Sequence, residues 1–521
     1  MRIPSLLACL FALGLNLPAR AQTATPAAPE SPPPVQRELR AAWVATVGNI
    51  DWPSRPGLDT WSQQAELLAI LNKAVALNLN AIIFQIRPGT DAFYNSNLEP
   101  WSEYLTGRQG RPPEPAWDPL AFAVAEAHKR GLELHAWFNP YRARYEKPLS
   151  EAARTHVSRT HPSLVRQYGS YLWMDPGEPA VRKDAVRVVL DVVKRYDIDG
   201  VHIDDYFYPY KENDANGRPI DFPDSATYAR YRKGGGTLSR DDWRRHNVDL
   251  LVEELYHGVH ATKPWVRFGV SPIGIWRPGN PPSVVPGFDA YQEIYADTRK
   301  WLRNGWVDYW VPQLYWAIDS PQSYPVLLDW WASQNIKHRN LWIGNGLHRV
   351  VDPAQQPVGT RPGWRADEIV QQVRLTRQSV TTEPNGGATG NVFFSMKALM
   401  RDVDSIDTRL APLYAEPALV PASSWLERTP PARPAATYLT SNATGEPYVR
   451  LTPGGGAKPW LWVVRTLQGG QWHTEILPDE VRLHRLGVLG TGDIERVVVN
   501  AVDRVGNLSA PVTVHVPSPV R

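Results

Sequence analysis

The chain has a single cysteine, Cys9, and only four methionines in 521 residues. With no second thiol there is no intramolecular disulfide. Once a leader containing Cys9 is removed, thiol nucleophiles and cysteine-ligated metals are excluded as well. After the leader, no apolar run approaches the roughly 20 residues that span a bilayer. Runs of lysine or arginine are also lacking, and the formal net charge is only +3 at pH 7. That balance argues against nucleic acid as a main ligand. The first strand-to-helix turn has no G-x-G-x-x-G phosphate cradle, which argues against a dinucleotide site.

The first 21 residues read as a secretory signal. Arg2 supplies the positive start, Leu6 to Leu17 the apolar region, and Ala19-Arg20-Ala21 an A-x-A cleavage site. Leu6-Leu7-Ala8-Cys9 resembles a lipoprotein processing box but leaves a very short apolar region, so cleavage after Ala21 is favoured over lipid anchoring. Loss of Arg2 and Arg20 lowers the formal charge to +1. The expected location is the periplasm. Residues 22–36, rich in Ala, Pro and Thr, form a linker.

What is abundant is proline (49), glycine (37) and tryptophan (22, against 11 phenylalanines). Tryptophan mostly fills cores, but in a secreted, loop-rich chain it also suggests platforms for sugar rings. From residue 37 to 412 strand and helix patterns alternate. The expected strands are Ala42–Val47, Ala81–Ile86, Glu133–Phe138, Gly200–Asp204, Arg267–Ser271, Tyr309–Leu314, Leu341–Asn345 and Asn391–Ser395. Thr60-x-x-Gln63 reads as a capping box ahead of Leu67, Leu68, Leu71 and Val75. Pro179 reads as a first-turn residue before Val181, Ala185, Val188, Val189 and Val192. Eight such units predict a closed (β/α)8 TIM barrel. Helix-to-strand connections are short, whereas strand-to-helix connections such as 139–178 and 205–240 are long. The elaboration therefore lies at the end where such barrels keep their active sites. Residues 413–432 read as a second linker. Short alternating runs over 433–521 predict a small C-terminal β-sandwich, whose last hairpin, 497–509, resembles a fibronectin type III-like domain.

The centre of the pattern is Asp199-Gly200-Val201-His202-Ile203-Asp204-Asp205-Tyr206-Phe207-Tyr208-Pro209. Side chains alternate along a strand, so His202, Asp204 and Tyr206 share the inner face. Burying such groups is costly unless they are paired or used. Other strand ends add Asp51 and Trp52, Gln85, Arg87 and Asp91, His135, Trp137, Asn139 and Arg142, and Gln313, Tyr315 and Trp316 to the same rim. Carboxylates, amides and aromatic rings on one rim suit a polysaccharide. Glycoside hydrolysis needs a proton donor and a second group that stabilises positive charge at the anomeric carbon. Asp204 and Asp205 are the candidate pair, since repulsion would keep one of them protonated. Adjacent acids at the fourth strand also resemble glycosidases that use the substrate's 2-acetamido group as an internal nucleophile. From strand phase, Asp204 is expected to orient that group or to stabilise positive charge at the anomeric carbon, and Asp205 to donate the proton. Asp91 and Asp319 are the reserve acids. The D-G-x-D-x-D-x-E pattern of chitinase-like enzymes is not present, because His202 and Tyr206 replace two of its acids.

Many blocks also match one family in order. They include Asn49-x-Asp51-Trp52-Pro53, Phe84-Gln85-x-Arg87-Pro88, His135-Ala136-Trp137-Phe138-Asn139-Pro140-Tyr141-Arg142, the Asp199–Pro209 run, Gly269-Val270-Ser271-Pro272, and Pro312-Gln313-x-Tyr315-Trp316. Over residues 38–412 the chain resembles the glycosyl hydrolase-like family ten, bacterial envelope proteins described as divisome-associated peptidoglycan glycosidases. The resemblance implies hydrolysis of peptidoglycan strands stripped of their stem peptides, without cofactor or metal, alongside envelope or divisome partners. It also implies lipid anchoring for many members. Two other readings remain open on the residues. One is a metal-dependent polysaccharide deacetylase using His202, Asp204 and Asp205, for which His156/His161 and His257/His260 are the only close histidine pairs. The other is a catalytically silent glycan-binding scaffold.

Overall fold

The computed structural model describes residues 31–285, 287–352, 363–456, 458–487 and 489–517. The expected signal, Cys9 and most of the first linker lie outside the described residues, as does part of the long connection that follows the expected strand Leu341–Asn345. Among the described residues no helix is long and apolar enough to cross a membrane.

Eight parallel strands form the barrel. They are β1 (Leu39–Val44), β2 (Ala81–Arg87), β3 (Glu133–Phe138), β4 (Gly200–Ile203), β5 (Arg267–Val270), β6 (Tyr309–Trp310 and Gln313–Leu314), β7 (Asn340–Leu341 and Ile343–Asn345) and β8 (Gly390–Phe393). The two halves of β6 and of β7 lie at opposite ends of the ladder. Tyr309 pairs with Asn340 on one side, and Gln313 with Gly344 on the other. Because those halves belong to the same two strands, the sheet closes on itself, and the (β/α)8 expectation holds. Closure leaves no edge strand to protect.

The helices follow their apolar stripes, with two differences from expectation. The first long helix, Thr60–Ala76, is capped by Asp59, whose side chain accepts from Ser62 N–H at 2.9 Å, rather than by Thr60. Thr60 bonds the Pro115 carbonyl instead. Its buried stripe is Leu67, Ile70, Leu71 and Ala74, and Val75 is exposed. Helix Pro179–Arg195 starts at its proline and buries the expected Val181, Ala185, Val188, Val189 and Val192. The Asp cap accepts from an orphan N–H of the first turn, whereas a first-turn proline has no N–H to leave unpaired. The long loop after β3 folds into its own antiparallel sheet, Arg142–Arg144, Tyr171–Met174 and Val165–Tyr168, which no alternation in the sequence had signalled.

Beyond the barrel, seven strands form two antiparallel sheets. One holds β9 (Ala435–Thr440), β10 (Pro447–Thr452) and β13 (Leu483–Arg485). The other holds β11 (Leu461–Gln468), β12 (Gln471–Pro478), β14 (Ile494–Val502) and β15 (Val512–Val514). Val449, Leu451, Trp462, Val464, Val497 and Val499 fill the space between them. The segment expected as a linker, 413–432, packs under the barrel. Leu419 pairs with Gln36 and Glu38 through the backbone, and Ser423 accepts from Arg267 Nε at 3.0 Å inside the barrel bottom.

Candidate active site

Two glycines shape the interior beneath the mouth. A Cβ on Gly200 would lie 2.4 Å from the His135 ring, and one on Gly269 would lie 2.0 Å from the Tyr309 ring. Their absence lets His135, Tyr309 and His202 fill the middle of the barrel, with Tyr309 and His202 stacked at 11°. His202 Nε2 faces both the Trp43 indole N–H at 3.1 Å and Ser271 Oγ at 2.9 Å. It is therefore an acceptor, and Nδ1 carries the proton toward Tyr309 Oη at 3.3 Å. Burial and nearby His135 push its pKa well down, so the ring is neutral. His202 thus braces Trp43 and Ser271 from below instead of facing the cavity.

Above this layer lies a cavity of about 230 Å³ that includes Trp43, Gln85, Trp137, Asp204, Asp205 and Ser271 in its wall. Arg142, Tyr145, Tyr206, Gln313, Tyr315, His348 and Phe394 complete most of the rim. Among the described residues, Asp204 and Asp205 are the only carboxylates in it. Asp204 accepts from Trp137 Nε1 and Asn139 Nδ2, both at 3.1 Å. Asp205 accepts from the Tyr210 hydroxyl and from Gln313 Nε2 at 3.1 Å. Burial raises both carboxyls. The charge of Asp205 raises Asp204 further, to about 7, against the opposing pull of Arg142 and its two N–H donors. A phenolic O–H is a stronger donor to a carboxylate than an indole or amide N–H. That partner set favours the anion on Asp205 and the proton on Asp204, the opposite of the partition expected from strand phase.

Among the described residues, two buried donors in the wall have no partner. Gln85 Oε1 accepts from the Thr46 and Val47 N–H groups at 2.9 Å each, which fixes the amide and leaves Nε2 unbonded. Arg142 lies over the Tyr206 ring at 4.2 Å and donates to the Pro88 carbonyl, while its Nε is unbonded. Buried unpaired donors are costly, so groups of this kind in a cavity wall mark positions for ligand oxygens.

Several expected rim residues sit elsewhere. Asp51 is raised by burial and accepts from Ala45 N–H, Ser395 Oγ and Lys397 N–H, so it ties the start of the barrel to its last strand. Trp52 is fully buried among Phe84, Phe93 and Trp117. Arg87 is locked in a two-point pair with Glu99 at 2.8 and 2.5 Å. Asp91 is buried beneath the rim, accepts from Gln109 at 3.3 Å, and is pushed up to about 7 by burial. His135 bonds Glu133 and Tyr309 below the cavity. Asn139 touches the cavity only through Asp204. Trp316 packs against the helical layer, and Asp319 is exposed outside the wall. The expectation for these residues came from their place at strand ends and, on β3, from alternation, neither of which tells rim from interior. Trp43, Ser271, Tyr210, His348 and Phe394 were missed. Trp43 had a signal, since it lies on the face of β1 shared by Ala41 and Ala45 that turns into the barrel.

The deacetylase reading needs histidines near Asp205. His156 caps the helix Val157–Thr160 and faces Thr90 Oγ1 at 2.8 Å, and His260 pairs with Asp308 at 2.8 Å at the other end of the barrel. Among the described residues, no group of three or more His, Asp or Glu is placed to hold a metal ion.

A (β/α)8 barrel with a buried carboxylate pair at its open end is the arrangement of a glycoside hydrolase. The family model described as Glycosyl hydrolase-like 10 matches residues 38–359, and the chain belongs to that family. It is 42% identical over 419 residues to Glycosyl hydrolase YngK of Bacillus subtilis strain 168, covering 78% of each chain. It is 35% identical over 394 residues to Glycosyl hydrolase DigH of Escherichia coli strain K12, covering 71% of this chain and 86% of that protein. Among solved structures, the PgaB (BpsB) glycoside hydrolase domain from Bordetella bronchiseptica is similar with a TM-score of 0.47 and 13% identity, over 74% of this chain and 100% of that one. The protein is a glycoside hydrolase.

Proposed function

We propose that this enzyme hydrolyses the amino-sugar backbone of peptidoglycan, acting in the periplasm on glycan strands from which the stem peptides have been removed. The observation that carries the reading is the adjacent buried pair Asp204–Asp205, the sole carboxylates of the cavity among the described residues. Cleavage assisted by a 2-acetamido group needs two acids close together. One accepts the acetamido N–H and turns its carbonyl oxygen onto the anomeric carbon, and the other protonates the leaving oxygen. Asp205, held as an anion by Tyr210 and Gln313, takes the first role. Asp204, still protonated near neutral pH, takes the second. Gln85 Nε2 and Arg142 Nε supply donors for the oxygens of the same sugar, and Trp43, Trp137 and Tyr315 supply ring faces. Attack by the acetamido oxygen breaks the glycosidic bond as Asp204 gives up its proton. Asp204 then removes a proton from water, which opens the cyclic intermediate.

The test is to incubate the mature protein with peptide-free and peptide-bearing strands and to identify the new reducing ends by mass spectrometry. Release of amino-sugar fragments from peptide-free strands is expected. Release from neither substrate, or equal release from both, overturns the reading.

A further inference from the structure

A second concavity, of about 830 Å³, opens on the same end of the barrel. One wall comes from the loop after β2, with Arg108 and Arg111, and the other from the loop after β3, with Arg154 and Arg159. All four arginines are exposed. Glu151 is the one acidic side chain in the lining, and it reaches only Arg159, at 3.8 Å. Arg108, Arg111 and Arg154 make no side-chain hydrogen bond or ion pair among the described residues.

The cleft is built by specific contacts. Ala153 N–H donates to Gln109 Oε1 at 3.1 Å, and Gln109 N–H to Ser150 Oγ at 3.0 Å, joining the two walls. A Cβ on Gly110, which has φ +82°, would lie 2.9 Å from the Ala153 Cβ, so the walls meet only because this residue is glycine. The loop that carries Arg154 and Arg159 also carries Arg142 and Tyr145 in the wall of the catalytic cavity.

An unpaired arginine cluster in a chain of near-zero net charge selects an anion, and guanidinium groups match carboxylates in particular. Muramic acid residues carry a lactyl ether whose carboxyl is tied up as an amide while the stem peptide is present, and is a free anion once the peptide is gone. We infer that the Arg108–Arg154 cleft is a subsite for the lactyl carboxylates of a peptide-free strand, and that it sets the preference for such strands. This rests on the substrate reading above and adds the group by which bare strands are told from peptide-bearing ones.

The experiment compares peptide-free strands with the same strands capped as methylamides at the lactyl carboxyl, using wild type and the double variant Arg108→Gln/Arg154→Gln. Both side chains are exposed and unpaired, so the variant folds as wild type does. Cleavage kinetics are read alongside anisotropy of end-labelled strands, which reports binding whether or not strands are cut. The expected result is a KM on free-carboxylate strands roughly tenfold below that on capped strands, the size of two exposed charge pairs. The variant is expected to lose that preference, with kcat and its action on capped strands unchanged. A preference that persists in the variant, or an equal loss on both strands, overturns the inference. So does a phosphodiester wall polymer that binds more tightly than peptide-free strands and depends on the same arginines. Carboxylate- and arginine-dependent binding without cleavage would keep the subsite and sink the hydrolysis reading. Cleavage without carboxylate preference would do the reverse.

Discussion

Asp199 and Asp204 stand at the two ends of the same four-residue strand, β4, and both are almost fully buried. At the bottom, Asp199 accepts from His128 Nε2 at 2.9 Å and Leu134 N–H at 2.8 Å, and pairs with Arg504 of the C-terminal domain at 2.8 Å. Burial works to raise its pKa, but Arg504 and His128 outweigh it and hold the carboxyl well below the usual range. At the top, Asp204 has only indole and amide donors, Arg142 nearby, and a second aspartate beside it, and it rises to about 7. The bottom arrangement recurs two strands on. Asp308, just before β6, accepts from His260, Phe268 N–H and Trp425 Nε1, at 2.8, 2.8 and 2.7 Å. In both places a carboxylate ties a helix end, a strand and the C-terminal segments together. What separates structure from chemistry here is therefore the partner set and not burial, since all three acids are buried.

The largest effect that would test this contrast is on turnover. Asp204→Asn and Asp205→Asn are each expected to lower kcat by about 10²–10⁴, the scale of removing an acid or base, with thermal melting little changed. Aryl glycosides with activated leaving groups need no proton. They should partly rescue Asp204→Asn and leave Asp205→Asn slow. Rescue of Asp205→Asn alone would exchange the two roles, and near-normal turnover in both variants would remove the pair from the mechanism.

At the bottom the expected loss is stability and not rate. Arg504→Ala leaves Asp199 charged, buried and short of its cation, at a cost of about 3 kcal/mol, read as a lower midpoint in urea with kcat retained. The two ends of β4 should also respond oppositely to pH. Asp199 is depressed, so its contribution is present above about pH 4, its ordinary range, and is lost as the solution is acidified below that. Asp204 is raised. The folded state keeps a proton that the unfolded chain has released, and its contribution fades as pH rises from about 4 through about 7. Melting curves against pH should flatten on the acid side in Asp199→Asn and on the neutral side in Asp204→Asn. The same sign in both variants would break the comparison.

A smaller shift is expected from Arg142, whose charge opposes the rise at Asp204. With Asp204 as the acid, kcat/KM should fall on the basic side near pH 7. Arg142→Gln removes a positive charge, so the protonated form persists to higher pH and that limb should move up by about one pH unit. A limb that stays in place would mean that another group limits the basic side.

The barrel was legible because closure and loop asymmetry depend on spacing. Five of its strands, for example Glu133–Phe138, carry unbroken apolar or alternating runs. The acid pair was legible because nothing structural asks for two adjacent aspartates at a strand end. The walls were harder to read. Phase along β3 assigns His135, Trp137 and Asn139 to one face, yet depth decides their use. His135 lies in the interior layer, Trp137 at the cavity, and Asn139 behind Asp204. Asp51 and Arg87 look like rim groups in sequence, but their partners, Ser395 and Glu99, come from other parts of the chain and turn them into ties. Several tryptophans are core and not sugar platforms, with Trp301, Trp310, Trp331 and Trp342 fully buried.

The smallest expected effect concerns salt, and it bears on the open end of the barrel alone. The formal net charge of the chain is only +3 at pH 7, so no long-range field pulls in a polyanion, and among the described residues the cavity wall has a single cation, Arg142. The exposed arginines beside it act at short range and are screened over roughly 8 Å at physiological ionic strength. Raising salt from low to physiological should therefore lower kcat/KM on peptide-free strands by only about two- to fivefold, through KM. The bottom ion pairs, being buried, should leave the melting temperature nearly unmoved over the same range. A steep loss of activity, of the order seen when many phosphates are released from their counterions, would identify an anionic polymer as the true ligand. A melting temperature that falls in step with activity would show that the two ends of the barrel are not electrostatically separate after all.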